Sequence, residues 1–417
     1  MRVTETTFIE TWARLDALLR QHREFWQFRP FERLELPWKS RSPELCAWLE
    51  SLSQEEIDSL DPQPARLSEA LAPCLPEAPA LEALTLLPQF PKNARIIDER
   101  INYRMPERKW RQIRAFAASV PLNGRPLLEW CSGMGHLGRL LARMQGAAVE
   151  CIEKNPDLCE KGRVLARRNG ARLDFYPVDV LSSEVSRYLK PGQQVVALHA
   201  CGDLHRKLLQ EAARIPLAAL SLAPCCYHLT GGEFYAPLSS PGRRSPLKLS
   251  RFDLQLPLQE TVVANRRAIR LRQREIVWRL GFDLLQREVR GVNCYLNVPP
   301  ARESLLGKDF PTFCRWAAAR RGIPLPQRVD FECYERCGEE RRITVSRMEL
   351  LRHFFRRPLE IWLLLDYALF LGERGYRVQV GEFCEKSVTP RNVLIHAQRE
   401  GEDQIGNWQS PIVNCQL

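Results

Sequence analysis

Five short apolar runs recur between residues 126 and 223, and this rhythm constrains the fold more than any other feature of the chain. They are P-L-L-E-W-C (126–131), A-A-V-E-C-I-E (147–153), A-R-L-D-F-Y-P-V-D-V (171–180), Q-V-V-A-L-H-A (194–200) and L-A-A-L-S-L-A (217–223). The stretches 135–145, 155–169 and 203–214 between them carry helical patterning. Strands alternating with helices predict a parallel, doubly wound sheet. Further on, S-R-M-E-L-L-R-H-F-F-R-R-P-L-E-I-W-L-L-L-D-Y-A-L-F-L reads as an apolar helical region that Pro358 kinks. G-Y-R-V-Q-V-G-E-F-C and R-N-V-L-I-H-A-Q then read as a closing pair of strands joined by S-V-T-P. The expected fold class is therefore α/β, with a seven-stranded sheet.

The flanking regions differ in character. Thr7 and Glu10 form a capping box ahead of an apolar stripe of Trp12, Leu15, Leu18 and Leu19, and a second helix starts at Ser42-Pro43-Glu44. Seven prolines within 61–94 predict an extended connection around at most a short helix. Residues 238–345 read as long, irregular and basic. This divides the chain into a helical accessory region (1–95), a sheet domain (96–240 and 345–400) and a basic insertion (241–344). Net charge is +11, and residues 242–279 alone hold ten Arg or Lys against three acids. Arg267, Arg270 and Arg274 fall on one helical face, either a solvated surface or a phosphate-contacting one for RNA.

Fourteen cysteines are scattered through apolar runs, the opening M-R-V-T-E-T-T-F-I-E has no apolar core, and no run of about 18 apolar residues occurs. The expectation is a cytoplasmic chain with reduced thiols and no membrane partner.

After the first strand comes E-W-C-S-G-M-G-H-L-G, in which Gly133, Gly135 and Gly138 reproduce G-x-G-x-x-G between a strand and a helix. Such a turn lets a ligand approach the backbone at a helix N-terminus. Cys131 lies in the same turn. Glu129, at the strand end, suits a cationic aminoacyl sulfonium better than a pyrophosphate, which it would repel. Glu153 ends the next strand, 20 residues beyond Gly133, where it would meet ribose hydroxyls, and Asp179 ends the third, where it would accept from an adenine amino group. Three acids at successive strand ends read as an S-adenosylmethionine pocket. A capping role for Glu129 and a helix N-terminal role for Glu153 are the structural alternatives.

The stretch from Glu129 to His228 resembles class I, Rossmann-like S-adenosylmethionine-dependent methyltransferases. More narrowly it resembles a group with H-x-C-G-D-L after the fourth strand and C-C-Y-H or C-C-H-H after the fifth. Here these are His199-Ala200-Cys201-Gly202-Asp203-Leu204 and Cys225-Cys226-Tyr227-His228. The group includes methyltransferase-like proteins of the 25 type, the methyltransferase half of the glutathione-S-transferase C-terminal-domain-containing protein, and tRNA acceptor-stem 2′-O-methyltransferases. T-P-R-N-V-L-I near the C-terminus and M-P-E-R-K-W-R-Q-I before the first strand also fit. The resemblance covers about 96–240 and 345–400 and implies methyl transfer.

In a parallel sheet the ends of strands four and five open on one edge. His199, Cys201, Asp203, Cys225, Cys226, Tyr227 and His228 are therefore expected near one another. The cysteines could ligate a metal, supply a covalent nucleophile at Cys225, form a vicinal disulfide, or pack as small side chains. Packing is the favoured reading, and no structural metal is expected. His228 and His199 are candidate general bases, Asp203 an orienting or accepting group, Tyr227 a pocket wall and His199 also a cofactor neighbour. The leading expectation is methyl transfer from S-adenosylmethionine to RNA, tRNA above others. The rivals are a protein or small-molecule methyltransferase, a non-catalytic cofactor-sensing RNA-binding protein, and a nicotinamide-dependent oxidoreductase.

Overall fold

The computed structural model describes residues 5–93, 102, 105–259 and 266–399. These form two compact units. One comprises residues from 1–20, 84–258 and 357–417, the other those from 21–83 and 259–356.

The first unit is built on seven strands: β1 (Leu127–Trp130), β2 (Val149–Glu153), β3 (Leu173–Pro177), β4 (Gln194–Cys201), β5 (Ala219–Cys225), β6 (Tyr376–Glu382) and β7 (Val393–Arg399). Their order is β3-β2-β1-β4-β5-β7-β6. The first five run parallel, and β7 is antiparallel to both β5 and β6. Helices His136–Gln145, Pro156–Arg168 and Asp203–Arg214 lie between strands, close to the expected limits. Their starts are written locally: Asn155 accepts from the Asp157 amide while Pro156 takes the first helical position, where a missing N–H costs nothing. β1 and β5 are buried along their whole length, as a parallel strand covered on both faces must be. Leu127, Val149, Cys151 and Val196 from the strands share a core with Ile113, Phe116, Leu137, Leu140 and Leu141 from helices. Full burial of each large apolar side chain contributes about 1.5–3 kcal/mol.

The helix Glu5–Gln21 already runs at Thr7, so that residue does not cap it. Its stripe is buried at Trp12, Leu15 and Leu19. Trp12 packs on Trp362 at 5.5 Å between ring centroids, and Trp362 Nε1 donates to Asp16 Oδ1 at 3.1 Å.

The second unit is helical. It contains Pro43–Ser51, which opens after Ser42 as expected, and also Arg266–Arg290, Phe310–Arg321 and Phe331–Phe354. The described residues of 238–345 are therefore largely helical and not irregular chain. The proline-rich stretch likewise holds two helices, Pro64–Leu71 and Ala78–Ala83, because Pro64 occupies a helix start. Trp278, Phe282, Phe310 and Phe313 form its apolar centre. Arg341 Nη1 donates to Asp283 Oδ2 at 2.5 Å and its Nη2 to the Phe31 carbonyl at 2.7 Å. That one guanidinium joins residues 310 positions apart, and residues 21–83 and 259–356 form one unit. The contacts thus divide the chain at places other than those composition suggests. Pro358 does not kink a continuous helix. The chain breaks at Phe355, and Pro358 falls in the first turn of Arg356–Gly372, where no amide is needed. No helix among the described residues is long and apolar enough to cross a membrane.

Candidate active site

The strand order reverses between β1 and β4, and in open parallel sheets ligands bind outside the carboxyl ends of the strands at that point. Backbone conformation marks the same place. Among the described residues, only three other than glycine have positive φ: Cys131 (56°), His199 (61°) and Cys226 (48°). Cys131 directly follows β1, His199 lies two residues before the end of β4, and Cys226 directly follows β5. A left-handed conformation costs an L-residue roughly 1–2 kcal/mol, and such strain collects at functional sites.

The turn after β1 is organised by two acids. Glu129, buried at 5% exposure, accepts the Gly138 amide at Oε2 (2.8 Å), with Cys151 Sγ at 3.8 Å. Burial raises its pKa to about 8, against the Gly138 and Cys151 bonds and the charges of Lys109 and Arg139. A Cβ at position 138 would stand 2.6 Å from Glu129 Oε2, so the carboxylate can dock only because residue 138 is glycine. Glu129 therefore caps the first turn of His136–Gln145. Glu153 holds the outer side of the turn, accepting from Gly133 N–H and Asn155 N–H at 2.9 Å each. Gly135, left-handed at φ 64°, is the residue from which the helix departs. Asp179 lies two residues beyond β3. It pairs with Lys154 at 2.7 Å and accepts the Leu181 amide, and the Lys154 bond lowers its pKa.

Two basic side chains here escaped the sequence reading, Arg139 and His136. Arg139 is fully buried; its Nη2 meets His136 Nδ1 at 2.5 Å, while Nε and Nη1 have no partner. Burial, followed by the charges of Lys109 and Arg139, brings the His136 pKa down to about 3. The spacing of His136 and Arg139 at i and i+3 on a helix was the available signal.

The ends of β4 and β5 are interlocked. Register slips between Leu198 and Cys201, which sets Cys201 opposite Cys225 with the sulfurs 3.3 Å apart. The Gly202 amide donates to the Cys225 carbonyl (3.1 Å), the Asp203 amide donates to the Leu229 carbonyl (2.9 Å), and Asp203 Oδ2 accepts the Gly231 amide (2.7 Å). H-x-C-G-D-L and C-C-Y-H are therefore two halves of one clasp. His199 Nε2 meets Gln112 Oε1 at 3.3 Å, and burial, then the charge of Arg391, lowers its pKa to about 4. The Cys226 thiol is pulled down by bonds from Cys201 and Cys225, with His228 and Arg391 adding; the Cys225 thiol is pushed up in return.

Tyr227, read from sequence as a pocket wall, is 2% exposed and packs on His205 and Tyr367, with its hydroxyl unpartnered. Its ring belongs to the interior. His228 is half-buried, and its Nδ1 is enclosed without a hydrogen-bond partner. The clasp thus assembles His199, Cys201, Cys225 and Cys226 with Arg391 and Gln112, the last two carried by T-P-R-N-V-L-I and M-P-E-R-K-W-R-Q-I.

In the second unit, Arg267, Arg270 and Arg274 are exposed on Arg266–Arg290. Arg267 reaches Glu303 at 3.7 Å with both side chains open to solvent, whereas Arg274 donates to the Leu306 carbonyl and lies over Trp278.

Residues 108–232 match the family model described as a methyltransferase domain. Solved structures are similar only slightly. The tRNA (uracil-54, C5)-methyltransferase of Pyrococcus abyssi with S-adenosyl-L-homocysteine is 20% identical over 26% of either chain, with a TM-score of 0.21. A putative sarcosine dimethylglycine methyltransferase of Galdieria sulphuraria is 16% identical over 31% of this chain and 52% of its own, at 0.24. Coclaurine N-methyltransferase with N-methylheliamine and S-adenosyl-L-homocysteine is 10% identical over 94% and 99%, at 0.26. The chain thus spans about a quarter of the length of the first and about half of the second. The match to a methyltransferase-domain model thus falls on residues 108–232, which include the five parallel strands of a seven-stranded sheet in which β7 alone is reversed, between β5 and β6.

Proposed function

We propose that the protein transfers a methyl group from S-adenosylmethionine to RNA, with tRNA the class favoured by its sequence motifs. The observation that carries the site is the set of left-handed residues at the ends of β1, β4 and β5, which spends backbone energy where a cofactor and an acceptor would meet.

The residues fit this cofactor. A buried guanidinium with two unpartnered nitrogens, at Arg139, suits the carboxylate of an amino-acid moiety. Each oxygen of Glu153 accepts one amide and keeps a lone pair for a ribose hydroxyl. Asp179, held charged by Lys154, suits an amino group of a purine. When bound, S-adenosylmethionine supplies an electrophilic methyl group on a sulfonium. The residues of this chain then position and manage protons. His199 is neutral at physiological pH and hydrogen-bonded to Gln112, so it accepts rather than repels a proton-bearing acceptor. His228 Nδ1 has no competing partner and is the base we assign to a hydroxyl acceptor. Asp203 orients the clasp through Gly231.

RNA is favoured by the net charge of +11 and by the exposed arginine face of Arg266–Arg290. The test is transfer of tritium from methyl-labelled S-adenosylmethionine into a host extract divided between nuclease and protease. Label lost only to nuclease supports RNA. Label lost only to protease moves the acceptor to protein, and cofactor binding with no labelled product favours a cofactor-sensing binder. Neutralising Arg267, Arg270 and Arg274 together is expected to lower the salt slope of RNA binding by about two to three; an unchanged slope returns that face to solvent.

A further inference from the structure

The sulfurs of Cys201, Cys225 and Cys226 all lie within 4.8 Å of one another. None is in a disulfide. Ordinary strand geometry would not produce this, because neighbouring residues of a strand point to opposite faces. Cys226 is turned back by its φ of 48°, and Cys201 is brought alongside by the register slip that contains left-handed His199. Two strained residues are thus committed to gathering three thiols in one corner. Packing alone gives no reason for it, since small apolar side chains fill such a corner without strain.

The spacing suits a thiophilic ion. Tetrahedral zinc with Zn–S bonds near 2.3 Å places its sulfurs about 3.8 Å apart. The Cys201 and Cys225 sulfurs stand 3.3 Å apart, and all three sulfurs lie within reach of one such ion. Three thiolates select zinc or copper(I) over hard cations. We propose that the thiolates of Cys201, Cys225 and Cys226 together bind one zinc ion. The ion would fix the β4–β5 clasp beside the methyl-transfer site. Ligation exchanges thiol protons for the metal and involves no redox change, so no oxidant is required.

The test uses the full chain purified in reductant with zinc supplied, then dialysed against a weak chelator. One zinc per chain by mass spectrometry is expected, as is a thiolate-to-metal charge-transfer band on replacement by cobalt. Cys201→Ser and Cys226→Ser should each weaken zinc binding by about 100-fold or more. Cys314→Ser, a buried cysteine of the other unit, should leave it unchanged. A folded wild-type chain that takes up neither metal overturns the proposal, as does binding unaffected by Cys201→Ser and Cys226→Ser. A Cys201–Cys225 disulfide in the chain as purified, detected by alkylation, also overturns it. S-adenosylmethionine affinity is measured on the same samples; a metal-free chain that still binds it removes the zinc site and leaves methyl transfer standing.

Discussion

The turn after β1 and the clasp between β4 and β5 both hold the chain in left-handed conformations, but they do so by different means. The turn joins a strand to the helix that follows it, and side-chain acids hold two of its amides: Glu129 accepts from Gly138, and Glu153, from the next strand, accepts from Gly133. The clasp is assembled from two strand ends, and its backbone bonds join groups 23 and 26 residues apart, with the Asp203 carboxylate accepting from Gly231 beyond them. Side-chain acids hold the turn, whereas backbone groups hold most of the clasp.

The sharpest way to break this contrast is Gly202→Ala. A Cβ there would stand 1.9 Å from the Leu229 carbonyl oxygen, on a residue already at φ 55°. The expected loss is about 3 kcal/mol or more, read as a fall in urea midpoint; a near-normal midpoint would mean that the loop is free to move away.

Acid should test both regions together. Burial holds His136 near pKa 3 and His199 near 4, against an ordinary 6.5. Below pH 6.5 the unfolded chain takes up protons that these imidazoles refuse, so stability falls as pH drops from 6.5 toward 4. His136→Gln and His199→Gln should each flatten that slope by up to about 1.4 kcal/mol per pH unit. A variant with the parent slope would show that its histidine is protonated in the fold.

Glu153→Ala is expected to weaken S-adenosylmethionine binding by about ten-fold or more, measured by calorimetry. Unchanged affinity would take the acid out of the pocket. The smallest effect is reserved for Asp203→Asn. An amide oxygen still accepts from Gly231, so stability should change by about 1 kcal/mol or less. Near-parent turnover would sharpen its role as a tether, and a collapse of turnover with the fold intact would make it a base.

The same contrast explains what was legible in the sequence. Strand and helix limits from 126 to 225 are written in local periodicity and caps, and so is the glycine turn. Glu129 could be located at its strand end, but its partner Gly138 could be found only with the helix folded back over it. Cys201 stands 24 residues from Cys225, and no spacing rule joins them. Tyr227 was expected to shape a pocket; its ring is buried against His205 and Tyr367, behind the left-handed Cys226. The union of 21–83 with 259–356 was hidden for the same reason, since it rests on contacts such as Arg341 to Phe31 that only the folded chain creates.

The fit of Gly202 beneath Leu229 reaches beyond this one molecule. Two short motifs that a reader of sequences would treat as separate signatures form one indivisible part. Transplanting either loop into another scaffold without its mate would leave a carbonyl with no room or an amide with no acceptor. Insertions and grafts should therefore be tolerated between the motifs far better than within either, and any successful exchange will move both at once.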